Sequence, residues 1–314
     1  MTINFYLTKY LKTAFTLAVV ALLGVGMSSC KEDEEEEKGK TVQEPDLGIK
    51  GFDEKGASYA YFSVAPDKIV FFSRGNLQYQ ASTNTWRFAE HQFDFIGADN
   101  ANISSSNKGW IDLFGFGASG WKDGGAVCYQ PYSSSTDNED YLVGYKGQND
   151  LNGSFVDGDW AYHNAISNGG NKAHLWRTLT RDEWNYLFYQ RKEALSKFAP
   201  ATVGGVHGIV ILPDVLLDTT SLPFNSDEYE KGGWEKNVYT KAQWLRMEKT
   251  GAIFLPAAGK RYGKTVLDCG THGNYWSVNR NGYLAARYLQ FTTNYPAPRE
   301  TDRCFGLSVR PVIP

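Results

Sequence analysis

Histidine and cysteine are the first side chains to consider as ligands of a transition metal or as reactive groups. The five histidines are His91, His163, His174, His207 and His272. None of them lies four residues from another, and no His-Glu-x-x-His or Cys-x-x-Cys spacing occurs. Those spacings are the ones that zinc sites and dithiol redox sites use. We therefore expect the histidines to be loop or packing residues, and we predict no metal ligands.

The remaining motifs that could carry catalysis are weak. The glycine-rich segment 204–208 leads into a strand, whereas a phosphate site uses the start of a helix. Asp157-Gly158-Asp159 offers the oxygens that calcium prefers, yet Asp-Gly pairs are mostly turns. Glycoside hydrolysis needs two carboxylates about 5–10 Å apart, which the sequence alone does not pair. We predict no catalytic residues and no cofactor, with calcium left open. An enzyme that processes glycans is kept as an alternative.

Cys30 is the cysteine with the most informative surroundings. The apolar stretch 14–25 follows Lys9 and Lys12, and it is shorter than the roughly 20 residues that a membrane span needs. The segment 26–30, Gly-Met-Ser-Ser-Cys, resembles a lipobox, in which the cysteine is acylated, for example with palmitate, and becomes the new N-terminus. We therefore expect residues 1–29 to be a lipoprotein signal peptide and Cys30 to be the lipidation site. An ordinary secretory signal is the alternative.

Residues 30–55 are predicted to form a flexible acidic tether. Residues 31–37 contain six carboxylates, which repel one another and have no apolar surface to bury. Such runs after a lipid-bearing cysteine resemble the surface-export tethers of some Gram-negative lipoproteins, although a simple spacer would look the same. The expected location is the outer membrane, exposed on the cell surface and held through the lipid anchor.

The chain after the tether is long enough for one large domain or two modest ones, and we expect a single folded domain, residues 56–314. The whole chain has a net charge of −3, which argues against a nucleic-acid partner. Its 9 tryptophans, 19 tyrosines and 18 phenylalanines suit a ring-rich core and a surface that recognises sugars or proteins. Besides Cys30 there are three cysteines, Cys128, Cys269 and Cys304, and the sequence does not say which of them pair or whether all stay free.

The pattern of apolar residues predicts an α+β fold with small mixed sheets, two main helices and long irregular loops. The helices begin at two capping boxes, Thr180–Glu183 and Thr240–Gln243. Residues 97–170, rich in Gly, Ser, Asn and Asp, are expected to form the loops. Strands are expected at residues 59–64, 68–72, 76–79, 85–88, 208–213, 252–256, 275–277, 287–291 and 305–310, the first four forming an N-terminal pair of hairpins.

Residues 176–184, W-R-T-L-T-R-D-E-W, are similar to the R-L-P-T-x-x-E-W segment of proteins with the formylglycine-generating-enzyme version of the C-type lectin fold. Segments 273–277 and 306–310 match later motifs of that family, so the resemblance covers roughly residues 160–314. It implies a C-type lectin-like domain. A formylglycine-generating enzyme needs a close pair of reactive cysteines, and no such spacing occurs, so a formylglycine-generating-like enzyme is kept only as an alternative beside the glycan-processing one. The E-P-N, Q-P-D and W-N-D motifs of calcium-dependent lectins are also missing, and segment 296–300 replaces them poorly.

The C-terminal segment also resembles variable target proteins of diversity-generating retroelements. In these proteins framework positions, here including Trp276, Leu289, Phe291 and Arg310, alternate with residues that are rewritten to change ligand preference. The resemblance assigns ligand binding to Val278, Asn279, Arg280, Asn281, Tyr283, Tyr288, Gln290, Thr292, Asn294, Tyr295, Arg299, Glu300 and Asp302. We expect the tyrosines and arginines of this set to share one exposed face, beside a loop stiffened by two prolines, and to bind an extracellular protein or glycan. A non-diversified paralogue and a structural, fimbria-associated component are the alternatives.

Overall fold

The computed structural model describes residues 51–218, 223–226 and 233–314, which fall within one compact unit, Leu47–Pro314. The predicted signal peptide, Cys30 and most of the predicted tether lie outside the described residues. The end of that tether already belongs to the fold, because Phe52 forms a β-bridge with Ser58 and the Asp53 side chain accepts a hydrogen bond from the Ala57 backbone N–H. None of the helices in the described ranges has the length and apolarity to cross a membrane.

The described residues form three α-helices and fifteen short strands, joined by irregular segments and 3₁₀ turns. The helices are α1 (Trp160–His163), α2 (Arg181–Tyr189) and α3 (Lys241–Lys249). The strands are β1 (Phe62–Ala65), β2 (Lys68–Phe72), β3 (Leu77–Gln80), β4 (Thr85–Phe88), β5 (Phe198–Val203), β6 (Val206–Ile211), β7 (Val238–Tyr239), β8 (Ile253–Pro256), β9 (Lys260–Tyr262), β10 (Thr265–Leu267), β11 (Gly273–Asn281), β12 (Ala285–Phe291), β13 (Ala297–Asp302), β14 (Phe305–Gly306) and β15 (Val312–Ile313).

Both predicted capping boxes are confirmed, and they explain where α2 and α3 begin. At α2 the Thr180 hydroxyl accepts a hydrogen bond from the Glu183 backbone N–H at 3.1 Å, and the Glu183 carboxylate accepts one from the Thr180 N–H at 2.8 Å. These bonds satisfy two of the N–H groups that a helix start leaves unpaired. Behind the cap, Trp184, Leu187 and Phe188 lie one turn apart and are buried, which fixes the face that α2 turns to the core.

The predicted α+β class with small mixed sheets is confirmed. The sheet orders are β1-β2-β15, β3-β4, β7-β5-β6-β8, β10-β9-β14 and β11-β12-β13. The four-stranded sheet is mixed, because β7 is parallel to β5 while the other pairs are antiparallel. The two N-terminal hairpins, β1 with β2 and β3 with β4, are also confirmed.

The C-terminal region departs from the prediction in two places. The strand expected over residues 305–310 is limited to the two residues of β14, and a separate strand, β15, pairs with β2 near the end of the chain. The loop expected around Pro296 and Pro298 is largely strand, since β13 pairs with β12 and aligns Pro298 with Leu289. Proline is tolerated there because β13 is an edge strand, which needs backbone donors on one side only.

The sheet β11-β12-β13 is covered by core residues on both faces. Tyr275 and Leu289 belong to one buried cluster together with Trp184 of α2, whereas Trp276 belongs to another cluster with Trp160. The Trp276 indole N–H donates to the Phe114 carbonyl at 2.7 Å. The base of the β11–β12 hairpin is thereby held from both sides, and its tip projects beside the start of α2.

Candidate binding site

A polar pocket of about 270 Å³ lies between the tip of the β11–β12 hairpin and the first turn of α2. Three arginines, two aspartates, two asparagines and a glycine line it: Asp150, Arg181, Asp182, Asn279, Arg280, Asn281, Gly282 and Arg287. Guanidinium and amide groups are the donors that carboxylates and sugar hydroxyls require. The arrangement can therefore bind a polar ligand.

A bulge in β11 makes the pocket. Regular pairing with β12 is interrupted between Trp276 and Arg280. Within this interruption the Val278 backbone N–H donates to the Leu179 carbonyl at 3.1 Å, and the Val278 carbonyl accepts from the Leu151 N–H at 2.8 Å. At the bulge β11 is not paired with β12 and instead bonds to the segments that contain Leu151 and Leu179. These bonds bring residue 150 and the start of α2 together.

Asn279 and Asp150 tie these segments together. The Asn279 side-chain oxygen accepts from the Arg181 backbone N–H at 2.8 Å, and its amide donates to the Asp150 carboxylate at 3.0 Å. The other carboxylate oxygen of Asp150 accepts from the Arg280 backbone N–H at 2.9 Å. Because both groups of Asn279 and both oxygens of Asp150 are engaged, the pocket walls are fixed before any ligand arrives.

The three arginines of the pocket differ in how their charge is neutralised. Arg181 lies 3.2 Å from the Asp182 carboxylate, and Arg287 lies 3.0 Å from the Glu300 carboxylate. The exposed Arg280 guanidinium has neither a hydrogen bond nor an ion pair with any residue that the structure describes. Arg280 is thus the cation of the pocket that is left for a ligand.

A fourth arginine, Arg303, is fully buried nearby. One of its nitrogens donates to the Gly147 carbonyl at 2.9 Å, and the guanidinium lies 4.9 Å from the ring centre of Phe116. Its other two nitrogens have no partner within the described part of the chain. Burial lowers the pKa of Arg303 to about 10, with a further contribution from the positive charge of Arg280, which the Asp150 carboxylate opposes. The group still carries its charge at neutral pH and adds to the positive potential around Arg280.

Part of the predicted binding set reaches this site. Asn279, Arg280 and Asn281 line the pocket, and Tyr283, 51% exposed, stands at the hairpin tip after Gly282. Four other members of the set are exposed on or near β13: Asn294, Arg299, Glu300 and Asp302. None of these four is among the residues that line the pocket.

The other predicted residues are not presented as expected. Val278 is buried and belongs to the core. Tyr288 is half-buried with its ring edge-on to Trp276, and Tyr295 is half-buried against Phe198. Gln290 and Thr292 are also half-buried. The prediction of one exposed tyrosine face is therefore wrong for Tyr288 and Tyr295. Tyr288 lies on β12, and strand alternation indicates a solvent face only where the second side of a sheet is uncovered. Tyr295 lies in the connection between β12 and β13, where its ring packs on Phe198.

Five lining residues were missed by the sequence-based prediction: Asp150, Arg181, Asp182, Gly282 and Arg287. A signal existed for two of them, since the capping box places Arg181 and Asp182 in the first turn of α2, where side chains point outward. No local pattern marks Asp150, which reaches the site through contacts across about 130 residues of sequence.

The aspartates of the possible calcium motif and the three cysteines do not line the pocket. Asp159 is buried and accepts hydrogen bonds from the Ala161 N–H and from the Thr178 N–H and hydroxyl, so it serves as the N-cap of α1. Across the described ranges no group of three or more His, Cys, Asp or Glu could hold a metal ion. Cys304 and Cys128 pack in one cluster, while Cys269 is exposed, and none of the three forms a disulfide. Burial raises the pKa of the Cys128 and Cys304 thiols, that of Cys304 to about 11, and partial desolvation by neighbouring atoms also raises the pKa of Cys269 although that residue reaches the surface. A raised pKa disfavours the reactive thiolate.

Comparisons of the chain with protein-family models, with curated proteins and with solved structures found no match. The geometry of the pocket is therefore the observation on which a function can be based.

Proposed function

We propose that this protein is a surface-exposed lipoprotein that binds an extracellular protein or glycan through the pocket and the adjoining β11–β12 hairpin tip. The observation that carries the proposal is the convergence of Asn279, Arg280 and Asn281 with Arg181 and Arg287 around one preformed cavity. The proposed domain is C-type lectin-like, of the formylglycine-generating-enzyme type. In this proposal the rigid β11-β12-β13 sheet supports a changeable tip.

The chemistry of the tip suits recognition. Arginine and tyrosine are enriched among residues that dominate binding energy, because they combine large contact area with directional hydrogen bonds. Tyr283 and Arg280 are both exposed at the tip, and the bonds of Asn279 and Asp150 hold the backbone beneath them. A preorganised site loses little conformational entropy on binding, so a small polar contact area can still give useful affinity.

Membrane attachment through Cys30 is part of the proposal. Cells expressing the full-length chain and fed labelled palmitate should incorporate label into the wild type and lose it in Cys30→Ser. Protease added to intact cells should digest the wild-type domain if the protein is exposed at the surface. Label that persists in Cys30→Ser would contradict the anchor, and complete protection from protease would contradict surface exposure.

Diversification by a retroelement is the further element of the proposal. Its test is the DNA beside the gene, where we expect a reverse transcriptase and a near-copy of codons 275–312 that differs at adenines. A neighbourhood without either would identify a protein of the same proposed fold whose tip is fixed.

The binding role is tested by presenting the full-length protein, in mild detergent, to arrays of glycans and of bacterial and host surface proteins. We expect ligands whose capture falls at least about tenfold in Arg280→Ala and in Tyr283→Ala, as for residues at the centre of an interface. Arg246→Ala is the matched control, because Arg246 is exposed on α3 and does not line the pocket. Capture that is equal in all three variants, or the absence of any ligand, would overturn the proposed function.

A further inference from the structure

The charges of the pocket select among ligands. Three arginines line it against two aspartates, and the buried Arg303 adds a further positive charge close by. Of the two aspartates, Asp150 spends both carboxylate oxygens on hydrogen bonds to β11. Because the Arg280 guanidinium forms no ion pair or hydrogen bond with a described residue, the strongest unmet interaction at the site is that of a guanidinium with an anion.

The pocket also offers oxygen atoms that accept hydrogen bonds. The Asp182 side chain is 87% exposed, and its one ion pair with a described residue is that with its neighbour Arg181. The Asn281 amide donates to the Glu300 carboxylate, which leaves the Asn281 carbonyl oxygen as an acceptor. A phosphate monoester dianion or an acidic peptide side chain brings acceptors alone and would give these oxygens no hydrogen bond. A ligand that combines an anionic group with hydroxyls satisfies both kinds of group.

The size and lining of the cavity restrict the ligand further. Its volume of about 270 Å³ lies just below the range of about 300–1,000 Å³ that holds drug-sized molecules, so it accommodates a single ring, while its open side leaves the rest of a longer ligand in solvent. No aromatic side chain lines it. A neutral sugar would therefore lack the ring stacking that usually compensates for its desolvation, and charge must supply the affinity.

We propose that the pocket binds one carboxylate-bearing sugar unit, such as a hexuronic acid or a sialic acid. Its carboxylate would lie on the Arg280 guanidinium, and its ring hydroxyls would donate to Asp182 and Asn281. This assignment rests on the proposed function, and it narrows the ligand class from proteins and glycans in general to acidic glycans.

The test uses titration calorimetry of the full-length protein with three acidic ligands: short oligomers of galacturonic acid, short oligomers of glucuronic acid, and the trisaccharide N-acetylneuraminyl-lactose. Each is paired with the same oligomer after reduction of its carboxyl groups to alcohols. We expect at least one acidic oligomer to bind, its carboxyl-reduced form to bind at least about tenfold more weakly, and Arg280→Gln to cause a loss of similar size. Arg246→Gln removes the same charge from α3 and should bind as the wild type does.

Circular dichroism of Arg280→Gln should match the wild type, because the structural hydrogen bond at this position is made by the backbone N–H. Equal binding of an acidic oligomer and its reduced form, or binding of none of the panel, would overturn the assignment. In either case the array experiment tests the proposed function separately. A protein or neutral glycan captured through Tyr283 and Arg280 would support the proposed function even though the assignment to an acidic sugar had failed.

Discussion

Glu183 caps α2, whose first turn borders the pocket, and its ion pairs stabilise the fold. Its carboxylate contacts the Arg177 guanidinium at 2.7 and 2.9 Å and the Lys68 ammonium at 2.7 Å, besides capping α2. The Glu183 side chain is only 7% exposed. Substitution to glutamine keeps its shape but removes the charge and turns an N–H₂ group toward two cations.

Removing one member of a buried ion pair typically costs about 3–5 kcal/mol of unfolding free energy. The cost should be lower here, because water can reach the Arg177 side chain, which is 21% exposed, and the Lys68 side chain, which is 47% exposed. We therefore expect Glu183→Gln to lose about 2–3 kcal/mol. Asp182→Asn is the matched control, since this neighbouring carboxylate is 87% exposed and should cost less than about 0.5 kcal/mol.

Urea unfolding followed by tryptophan fluorescence measures both variants, and the Glu183→Gln midpoint should fall by about 1 M. Burial acts to raise the pKa of Glu183, but the contacts with Arg177 and Lys68 outweigh it, so the folded-state pKa lies below the usual value. The carboxylate therefore stabilises the fold above the pKa of an unfolded glutamate, and this contribution disappears as the pH falls through the folded-state pKa. The gap between wild type and Glu183→Gln should close on acidification. Equal midpoints at pH 7, or a gap that widens in acid, would refute the reasoning.

Two further sets of substitutions and modifications test the packing. Tyr288→Ala should lower the unfolding free energy by about 1–3 kcal/mol, because its half-buried ring packs on Trp276. Tyr283→Ala at the exposed tip should cost less than about 1 kcal/mol. Equal losses of unfolding free energy for the two variants, measured in urea, would contradict the assignment of Tyr288 to the core and of Tyr283 to the surface. Alkylation with iodoacetamide at pH 7.5 should modify the exposed Cys269 first and the buried Cys304 only on unfolding, as peptide mass spectrometry can show. Burial also raises the pKa of Cys304 to about 11, which slows its reaction. Early modification of Cys304 would contradict its burial in the folded protein.

Local patterns predicted the parts of the fold that are determined locally. Each capping box specifies its own helix start, because the threonine and its partner lie three residues apart on one turn. The spacing of Trp184, Leu187 and Phe188 likewise determines which face of α2 is buried. On β12 the framework positions Leu289 and Phe291 lie two residues apart, so they share one face of the strand, and both are buried in the core.

The predictions that failed concern residues whose environment is set by contacts with segments far away in the sequence. The burial of Tyr288 follows from the second core cluster, which is built around Trp276 and Trp160 and covers the other side of the sheet. The strand β13 forms because it pairs with β12, and this outweighs the turn preference of Pro298. Asp150 was missed for the same reason, since it is brought to residues 279 and 280 by side-chain hydrogen bonds and not by a sequence pattern.

Photo-cross-linking on intact cells tests the central claim most directly. A photoreactive side chain would replace Tyr283 at the hairpin tip in the full-length protein, and a control would replace Leu245, which is 43% exposed on α3. We expect irradiation to attach an extracellular ligand at position 283 and little or nothing at position 245. Ligand attached equally at both positions, or only at position 245, would contradict a binding site at the hairpin tip.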